Sequence, residues 1–230
     1  MRHELHGRPQ TGHSLCARLY AKQAGGAESK GMTDQRRRML DGLAGTVVEI
    51  GAGNGLNFRH YPSAVSAVYA FEPDPYLRPL AAEAAADAAV PISVGEAVAE
   101  ELPLDDASVD NAVASLVLCS VADLDGAVGE LHRVVKPGGE LRFNEHVISE
   151  HPVRGVLQRA ADVTVWPIVS GGCHLGRDTR SALENGGFQI ERIERFGFRV
   201  SALDPPKSHV LGMARRIEVQ DAVPLPWITS

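Results

Sequence analysis

The chain has 230 residues, of which 44% are hydrophobic and 23% are charged, and its formal net charge at pH 7 is −6. These values are typical of a soluble globular protein and exclude a disordered chain. Aromatic residues make up only 5% of the sequence, which together with the acidic balance argues against a nucleic-acid-binding protein.

The cysteine content predicts a reducing compartment and no disulfide framework. The chain has three widely spaced cysteines, Cys16, Cys119 and Cys173. His3, His6, His13 and Cys16 come closest to a group of metal ligands, but they lie in a predicted frayed terminus, so no metal site is predicted. The chain contains no signal-peptide pattern and no apolar run of membrane-spanning length, which predicts a cytoplasmic protein without a membrane span.

The N-terminal part of the chain predicts two helices. One covers Ser14 to Ala24, and the other begins at Thr33 and ends near Gly42. The run Arg36-Arg37-Arg38 lies on the second helix, where three arginines are predicted to form a solvated face.

From Val47 onward, strands and helices alternate. The predicted strands are Val47–Ile50, Val65–Phe71, Pro91–Val94, Val109–Ser115, Glu140–Val147 and two near 188–197 and 207–216. The predicted helices between them are Tyr76–Ala88, 123–135 and 178–186. This order predicts one α/β domain over residues 1–230, with a doubly wound, seven-stranded, mostly parallel Rossmann-like sheet.

Residues 151–176 interrupt the alternation with an apolar helix, Trp166-Pro167 and the loop Gly171 to His174. We expect this segment and residues 1–40 to form a small helical cap on the sheet. The tail from about residue 219 has no regular pattern.

The strongest chemical signal is the glycine-rich stretch Glu49 to Gly55, between a predicted strand and a helix. Glycines at such a turn let the backbone approach a ligand closely. Glu72 lies at the end of the second strand, where a carboxylate can accept hydrogen bonds from both ribose hydroxyls of a nucleoside. A dinucleotide site requires G-x-G-x-x-G, whereas this loop reads G-x-G-x-G. Glu49 would repel a pyrophosphate but suits an ammonium group, so the residues favour S-adenosylmethionine, which carries no phosphate.

Three motifs resemble class I S-adenosylmethionine-dependent methyltransferases. They are Val47–Gly55 (VVEIGAGNG), Glu72–Pro75 (EPDP) and Leu131–Leu141 (LHRVVKPGGEL). In the third motif, proline and glycines end a helix and reverse the chain into the next strand. The resemblance implies a Rossmann-like methyltransferase that uses S-adenosylmethionine.

A narrower resemblance runs from about residue 19 to residue 216. It rests on Asn57-Phe58, His60-Tyr61-Pro62, Leu116–Val121 (LVLCSV), Glu145-His146-Val147 and Gly172–Leu175 (GCHL) before Arg177. In this order they resemble the microsomal alkyl thiol methyltransferases of animals and their soluble bacterial relatives. This implies S-methylation of a small thiol. Asn54 and Asn144 depart from the family pattern, and Asn144, in place of an aromatic residue, can alter the acceptor pocket.

The resemblance also implies site residues. For the cofactor they are Tyr20, Glu49, Gly51, Gly53, Gly55, Glu72, Pro73, Glu96, Ala97, Ser115 and Leu116. For a base that assists methyl transfer they are His146, Glu145 and His174. Tyr20 is equally explained as a packed aromatic, His146 and His174 as structural histidines, and Glu145 as a helix cap. Cys119 and Cys173 are interpreted as small packing residues, because methyl transfer needs no protein nucleophile.

Other functions fit part of the same pattern. A carbon or oxygen methyltransferase of a quinone-like or polyketide-like ring has the same glycine loop. A non-catalytic S-adenosylmethionine-binding module would keep the loop without turnover, and a dehydrogenase is a more distant alternative. Turnover of simple alkyl thiols distinguishes the thiol methyltransferase from all of these.

Overall fold

A computed structural model describes residues 17–18, 21–22, 31–149, 151–164, 172–198 and 207–217. The strands are β1 (Gly45–Ile50), β2 (Val65–Phe71), β3 (Ile92–Gly95), β4 (Val109–Ser115), β5 (Val135–His146), β6 (Phe188–Phe198) and β7 (Lys207–Arg216). The helices are α1 (Thr33–Leu40), α2 (Leu77–Ala86), α3 (Leu124–Val134), α4 (Pro152–Asp162) and α5 (Thr179–Asn185), with a short 3₁₀ helix at Phe58–His60.

The strands form one sheet in the order β3-β2-β1-β4-β5-β7-β6. The pairs among β1 to β5 are parallel, and β7 is antiparallel to both of its neighbours. The predicted fold class, a doubly wound, seven-stranded and mostly parallel sheet, is therefore confirmed. The strand order reverses at β1, which lies between β2 and β4, and ligands of such sheets bind at the carboxyl ends of the strands flanking this point.

The fifth strand begins earlier than the sequence predicts. The sequence predicts Glu140 as its first residue, but Val135 already pairs with Val109, directly after α3 ends at Val134. A register irregularity between Val109 and Asn111 accommodates the intervening turn. This turn contains Gly138, whose φ of 76° lies in the left-handed region that glycine adopts without steric cost.

Apolar side chains cover both faces of the sheet. Val48 packs in one cluster with residues of α3 and α5, whereas Val47 packs in another with residues of α1 and α2. Neighbouring residues of a strand point to opposite faces, so the helices lie on both sides of the sheet. The parallel strands near the centre of the sheet are consequently buried on both faces, as the burial pattern of β1 shows.

The proposed cap is described only in part. Residues 17–18 and 21–22 are helical, and most of the predicted first helix, Trp166-Pro167 and the tail from 219 lie outside the described residues. In α4 the side chains of Val153, Val156 and Leu157 are each 63% exposed. Among the described residues, no helix combines the length and apolar character needed to cross a bilayer. That residues 1–40 and 151–176 form a cap remains a proposal.

Candidate active site

The loop after β1 is a tight backbone turn shaped by three glycines. Gly51, Gly53 and Gly55 have φ angles of 58°, 59° and 77°, in the region that favours glycine. A Cβ atom on Gly51 would lie 2.3 Å from Cγ2 of Val117. The glycine thus lets the loop after β1 approach the loop after β4 at the point where the strand order reverses.

Glu72, directly after β2, stabilises this turn through hydrogen bonds to backbone N–H groups. Its Oε2 accepts a hydrogen bond from the backbone N–H of Gly53 at 2.7 Å, and its Oε1 accepts one from the N–H of Asp74 at 2.9 Å. Burial raises the pKa of Glu72, and the two backbone N–H groups oppose that rise. Each carboxylate oxygen has a second lone pair with which it can bind a ligand hydroxyl.

Glu49 lies at the base of the same turn and is almost completely buried. Asn57 donates to its Oε1 at 2.7 Å, and the hydroxyl of Tyr61 donates to its Oε2 at 2.6 Å. Burial raises the pKa of Glu49 to about 7, although both hydrogen bonds and the charge of Arg36 oppose the rise. A cation that enters this site would favour the ionised form.

Arg36 corrects the prediction that the three arginines of α1 form a solvated face. Arg37 and Arg38 pair with carboxylates at the surface, but Arg36 is only 5% exposed. Its Nη1 donates to Oδ1 of Asn57 at 2.8 Å and to Oγ of Ser115 at 3.4 Å. The signal in the sequence is helical spacing, because the buried Met39 and Leu40 follow Arg36 at three and four positions.

The loop after β4 has unusual backbone geometry. Leu116 has a φ of 60°, which is rare for a residue with a side chain and concentrates at functional sites. Its N–H donates to the carbonyl oxygen of Asn144 at 2.7 Å. The predicted cofactor residues Ser115 and Leu116 therefore lie where β4 ends, next to the end of β5.

The carboxylate of Glu145 holds the following residues of this loop. It accepts backbone N–H groups from Val117, Leu118 and Cys119 at 3.0, 3.0 and 3.1 Å. Glu145 is fully buried, and burial raises its pKa well above the usual value, while the backbone donors oppose the rise. The side chain thus anchors three consecutive peptide groups. A helix cap binds backbone N–H groups in the same way, which is the alternative role predicted for Glu145.

His146 points to a different set of partners. Its Nδ1 lies 3.3 Å from Sγ of Cys173 and 3.8 Å from Sγ of Cys119. The two sulfur atoms are 3.7 Å apart, and the His146 ring contacts the ring of His209 at a centroid distance of 4.2 Å. The neighbouring Cys173 thiol and burial raise the pKa of Cys119 to about 12. Two cysteines that are 54 positions apart in sequence thus meet beside the predicted base.

His174 belongs to the loop before α5. Its backbone N–H donates to the carbonyl oxygen of Cys119 at 2.8 Å, and its Nδ1 lies 3.4 Å from Nη2 of Arg177. Arg177 in turn donates to the carbonyl oxygens of Leu118 and Val121. These bonds attach the loop before α5 to the loop after β4, so His174 and His146 belong to the same end of the sheet.

The remaining predicted cofactor residues are linked by Arg78. This side chain donates to the carbonyl oxygens of Glu72 and Pro73 at 3.1 and 3.3 Å and pairs with Glu96 at 2.7 Å. The Glu96 side chain is 70% exposed, and Ala97 packs against the core beside it. The predicted Tyr20 lies outside the described residues.

These residues fit S-adenosylmethionine. Two carboxylates, those of Glu49 and Glu72, flank the glycine turn. Carboxylates can bind an ammonium group and ribose hydroxyls, whereas their negative charge would repel a pyrophosphate. Oδ1 of Asn54 is buried in the same turn without a hydrogen-bond partner. A buried oxygen of this kind costs free energy unless a partner is supplied, and a ligand hydroxyl or ammonium group is a suitable donor.

Comparisons with known proteins identify the family of this chain. Residues 48–143 match the family model of a methyltransferase domain. The chain is 31% identical to a thiol S-methyltransferase (TMT1B) of Homo sapiens over 183 residues, which are 76% of this chain and 73% of that protein. It is 32% identical to the thiol S-methyltransferase TMT1B of Rattus norvegicus over 155 residues, 65% of this chain and 62% of that protein. The chain thus spans between three fifths and three quarters of the length of these relatives.

The fold is also found among solved structures. The structure of a methyltransferase-like protein from Bacillus halodurans superimposes with a TM-score of 0.68 at 16% identity, over 80% of this chain and 98% of that one. At this identity the match concerns the fold alone.

Proposed function

Because the chain belongs to the class I S-adenosylmethionine-dependent methyltransferases, we propose that it transfers the cofactor's methyl group to the sulfur of a small thiol. The observation that carries this proposal is the 31% identity with a human thiol S-methyltransferase over 76% of the chain. That alignment extends well beyond the 96-residue stretch that matches the general methyltransferase domain. It therefore includes sequence outside the part shared by methyltransferases with other acceptors.

The carboxylates around the glycine turn are assigned to the cofactor. Glu72, which already orients the N–H of Gly53, binds the ribose hydroxyls, and Glu49 binds the ammonium group of the methionine end. Pro73, Glu96 and Ala97 are assigned to the adenosine side. The glycines of the turn, with Ser115 and Leu116 across from them, are assigned to the methionine side.

Methyl transfer from a sulfonium requires alignment more than activation of the methyl group. The cofactor supplies an already activated methyl, so the protein must hold the acceptor in line with it and keep water out. The Glu145 carboxylate, with its three backbone N–H donors, acts as a positioning group for the loop that faces Gly51. His146 and His174 lie at the same end of the sheet and are the candidates for removing the proton of the thiol.

A thiol is an acceptor that this site can serve with little catalytic assistance. Its pKa is about 8.5, so a useful fraction is thiolate near neutral pH. A phenol or an amine would require a stronger base, because less of it is in the nucleophilic form at that pH.

The test is the release of S-adenosylhomocysteine with a panel of alkyl thiols, phenols and quinols, each paired with its O-methyl or S-methyl ether as an unreactive control. Release with thiols alone is the expected result. Release with phenols or quinols but not thiols would replace the proposal with an oxygen or carbon methyltransferase. Binding of S-adenosylmethionine without turnover of any acceptor would identify a non-catalytic module.

A further inference from the structure

Three soft ligand atoms converge at the carboxyl ends of β4 and β5. They are Sγ of Cys119, Sγ of Cys173 and Nδ1 of His146, and all three lie within 4.8 Å of one another. Both cysteines are buried, and His146 is half-buried. Thiolates and imidazoles are the ligands that zinc prefers in proteins.

The distances within this triangle match one face of a tetrahedral zinc site. Zinc–sulfur bonds of about 2.3 Å and zinc–nitrogen bonds of about 2.0 Å at tetrahedral angles place two sulfurs about 3.8 Å apart and sulfur and nitrogen about 3.5 Å apart. The observed sulfur–sulfur distance is 3.7 Å, and the two sulfur–nitrogen distances are 3.3 and 3.8 Å. An ion could therefore be bound with ligand movements of a few tenths of an ångström.

The three ligands are held by separate parts of the fold. Cys119 is fixed through its N–H, which donates to Glu145, and through its carbonyl oxygen, which accepts from the N–H of His174. His146 is the last residue of β5, which lies inside the sheet between β4 and β7. Cys173 follows Gly172, where a Cβ atom would lie 2.9 Å from the carbonyl oxygen of Ser120. This close approach brings the loop before α5 next to Cys119.

We propose that Cys119, His146 and Cys173 bind a soft divalent ion of the zinc class, and that the acceptor thiol occupies the coordination position they leave. The second half of this proposal rests on the proposed function. The described residues supply three ligands at this place, and zinc sites that take part in catalysis keep one position for water or substrate. The proposal replaces the interpretation of both cysteines as packing residues and the expectation that the protein has no metal site.

The chemistry balances without an oxidant or reductant. In this arrangement His146 serves as a ligand and not as the base considered under the proposed function. The acceptor R–SH releases its proton to solvent when its sulfur binds the ion, because a bound cation favours the thiolate. A lone pair of that sulfur forms the new S–CH₃ bond while the methyl–sulfonium bond of the cofactor breaks. The products are S-adenosylhomocysteine and a neutral thioether, a weaker ligand than the thiolate, which leaves the ion.

Zinc content is the first measurement. The full chain, purified under reducing conditions, is loaded with Zn²⁺, dialysed against metal-free buffer and analysed by atomic emission. About one zinc per chain is expected, with an affinity that falls more than about 100-fold in Cys119→Ser and in Cys173→Ser. Cys16→Ser, at the third cysteine of the chain, is the matched control and should retain the metal. Cofactor binding by each variant shows that it is folded.

Retention of no zinc by the folded wild-type chain would overturn the proposal. Equal retention by the wild type and both serine variants would also overturn it, because the ion would then lie elsewhere. A disulfide between Cys119 and Cys173 in the zinc-loaded reduced protein would identify a redox pair instead of a metal site.

Cobalt substitution tests the acceptor position without using activity. The Co²⁺-loaded chain should show thiolate-to-cobalt absorption that increases in a saturable way when ethanethiol is added, whereas ethanol should leave the spectrum unchanged. A spectrum that does not respond to ethanethiol would overturn the acceptor position. Thiol methylation at an undiminished rate by the metal-free chain would overturn it too, while the proposed function would stand. Ethanethiol binding to cobalt without methylation would support the site and contradict the proposed function.

Discussion

Replacing Glu49 with glutamine tests the role of the most buried carboxylate of the cofactor site. Glutamine has nearly the same shape and can accept from Asn57 while its amide group donates to the Tyr61 hydroxyl. The change therefore removes the charge and keeps the packing. In the free protein, burial raises the pKa of Glu49 from 4.5 to about 7, so the ionised carboxylate is unfavourable in the folded state.

The size of the effect on stability follows from this pKa. A folded-state pKa above the unfolded value means that the folded chain binds more protons between pH 4.5 and about 7. Stability from this group is complete below pH 4.5 and is lost as the pH rises through about 7. With about 1.4 kcal/mol for each pKa unit, the total loss is about 3 kcal/mol. Glu49→Gln should not show this loss of stability. At about pH 8 its free energy of unfolding should therefore be about 3 kcal/mol higher than that of the wild type.

Cofactor binding should respond in the opposite direction. If Glu49 binds the cofactor's ammonium group, the wild type gains affinity as the carboxylate ionises near pH 7, and Glu49→Gln loses that gain. A charged hydrogen bond contributes about 1.5 to 3 kcal/mol, so the variant should bind about 10-fold to 100-fold more weakly at about pH 8. The variant is thus expected to be more stable and to bind less well.

Urea unfolding and isothermal titration calorimetry across the pH range measure the two effects. Glu83→Gln, at an exposed position of α2, is the matched control and should leave both unchanged. An unfolding free energy of Glu49→Gln that falls with pH as steeply as that of the wild type would refute the assignment of the titration to Glu49. Cofactor affinity equal to that of the wild type at about pH 8 would refute the ammonium contact.

Three further substitutions test the site. Gly51→Ala should abolish cofactor binding and lower stability, because its Cβ would lie 2.3 Å from a neighbouring side chain at a φ of 58°. The control is Gly129→Ala in α3, where a Cβ would meet open space. This change should stabilise the chain by about 0.5 to 1 kcal/mol in thermal unfolding. Glu72→Ala should weaken cofactor binding about 10-fold or more by calorimetry; unchanged affinity, as in the control Glu83→Ala, would remove Glu72 from the ribose site. His146→Ala should lower kcat/KM for thiols with an altered pH profile, and an unchanged profile across the pH range would exclude His146 from the mechanism.

Much of the fold could be predicted from local pattern. Largely apolar runs such as Val47–Ile50, which Glu49 alone interrupts, form strands because a strand inside the sheet buries both of its faces. Glycines after β1 and an acid after β2 mark the ligand-binding edge, because the parallel topology brings the ends of neighbouring strands together. The start of β5 differs from the prediction, because the pairing of Val135 with Val109 extends the strand back through a segment whose proline and glycines are typical of a turn.

The sequence by itself therefore determined the α/β class, the alternation of strands and helices along the chain and the glycine turn with Glu72. Helical spacing places Arg36 on the buried face of α1, but only the tertiary structure decided that Asn57 is its partner and that Glu145 binds three backbone N–H groups. It also decided that Cys119 and Cys173 meet at 3.7 Å beside His146. Those contacts join residues 21 to 54 positions apart. No periodicity along the chain encodes them, because they arise from where separate strands end and how the loops between them pack.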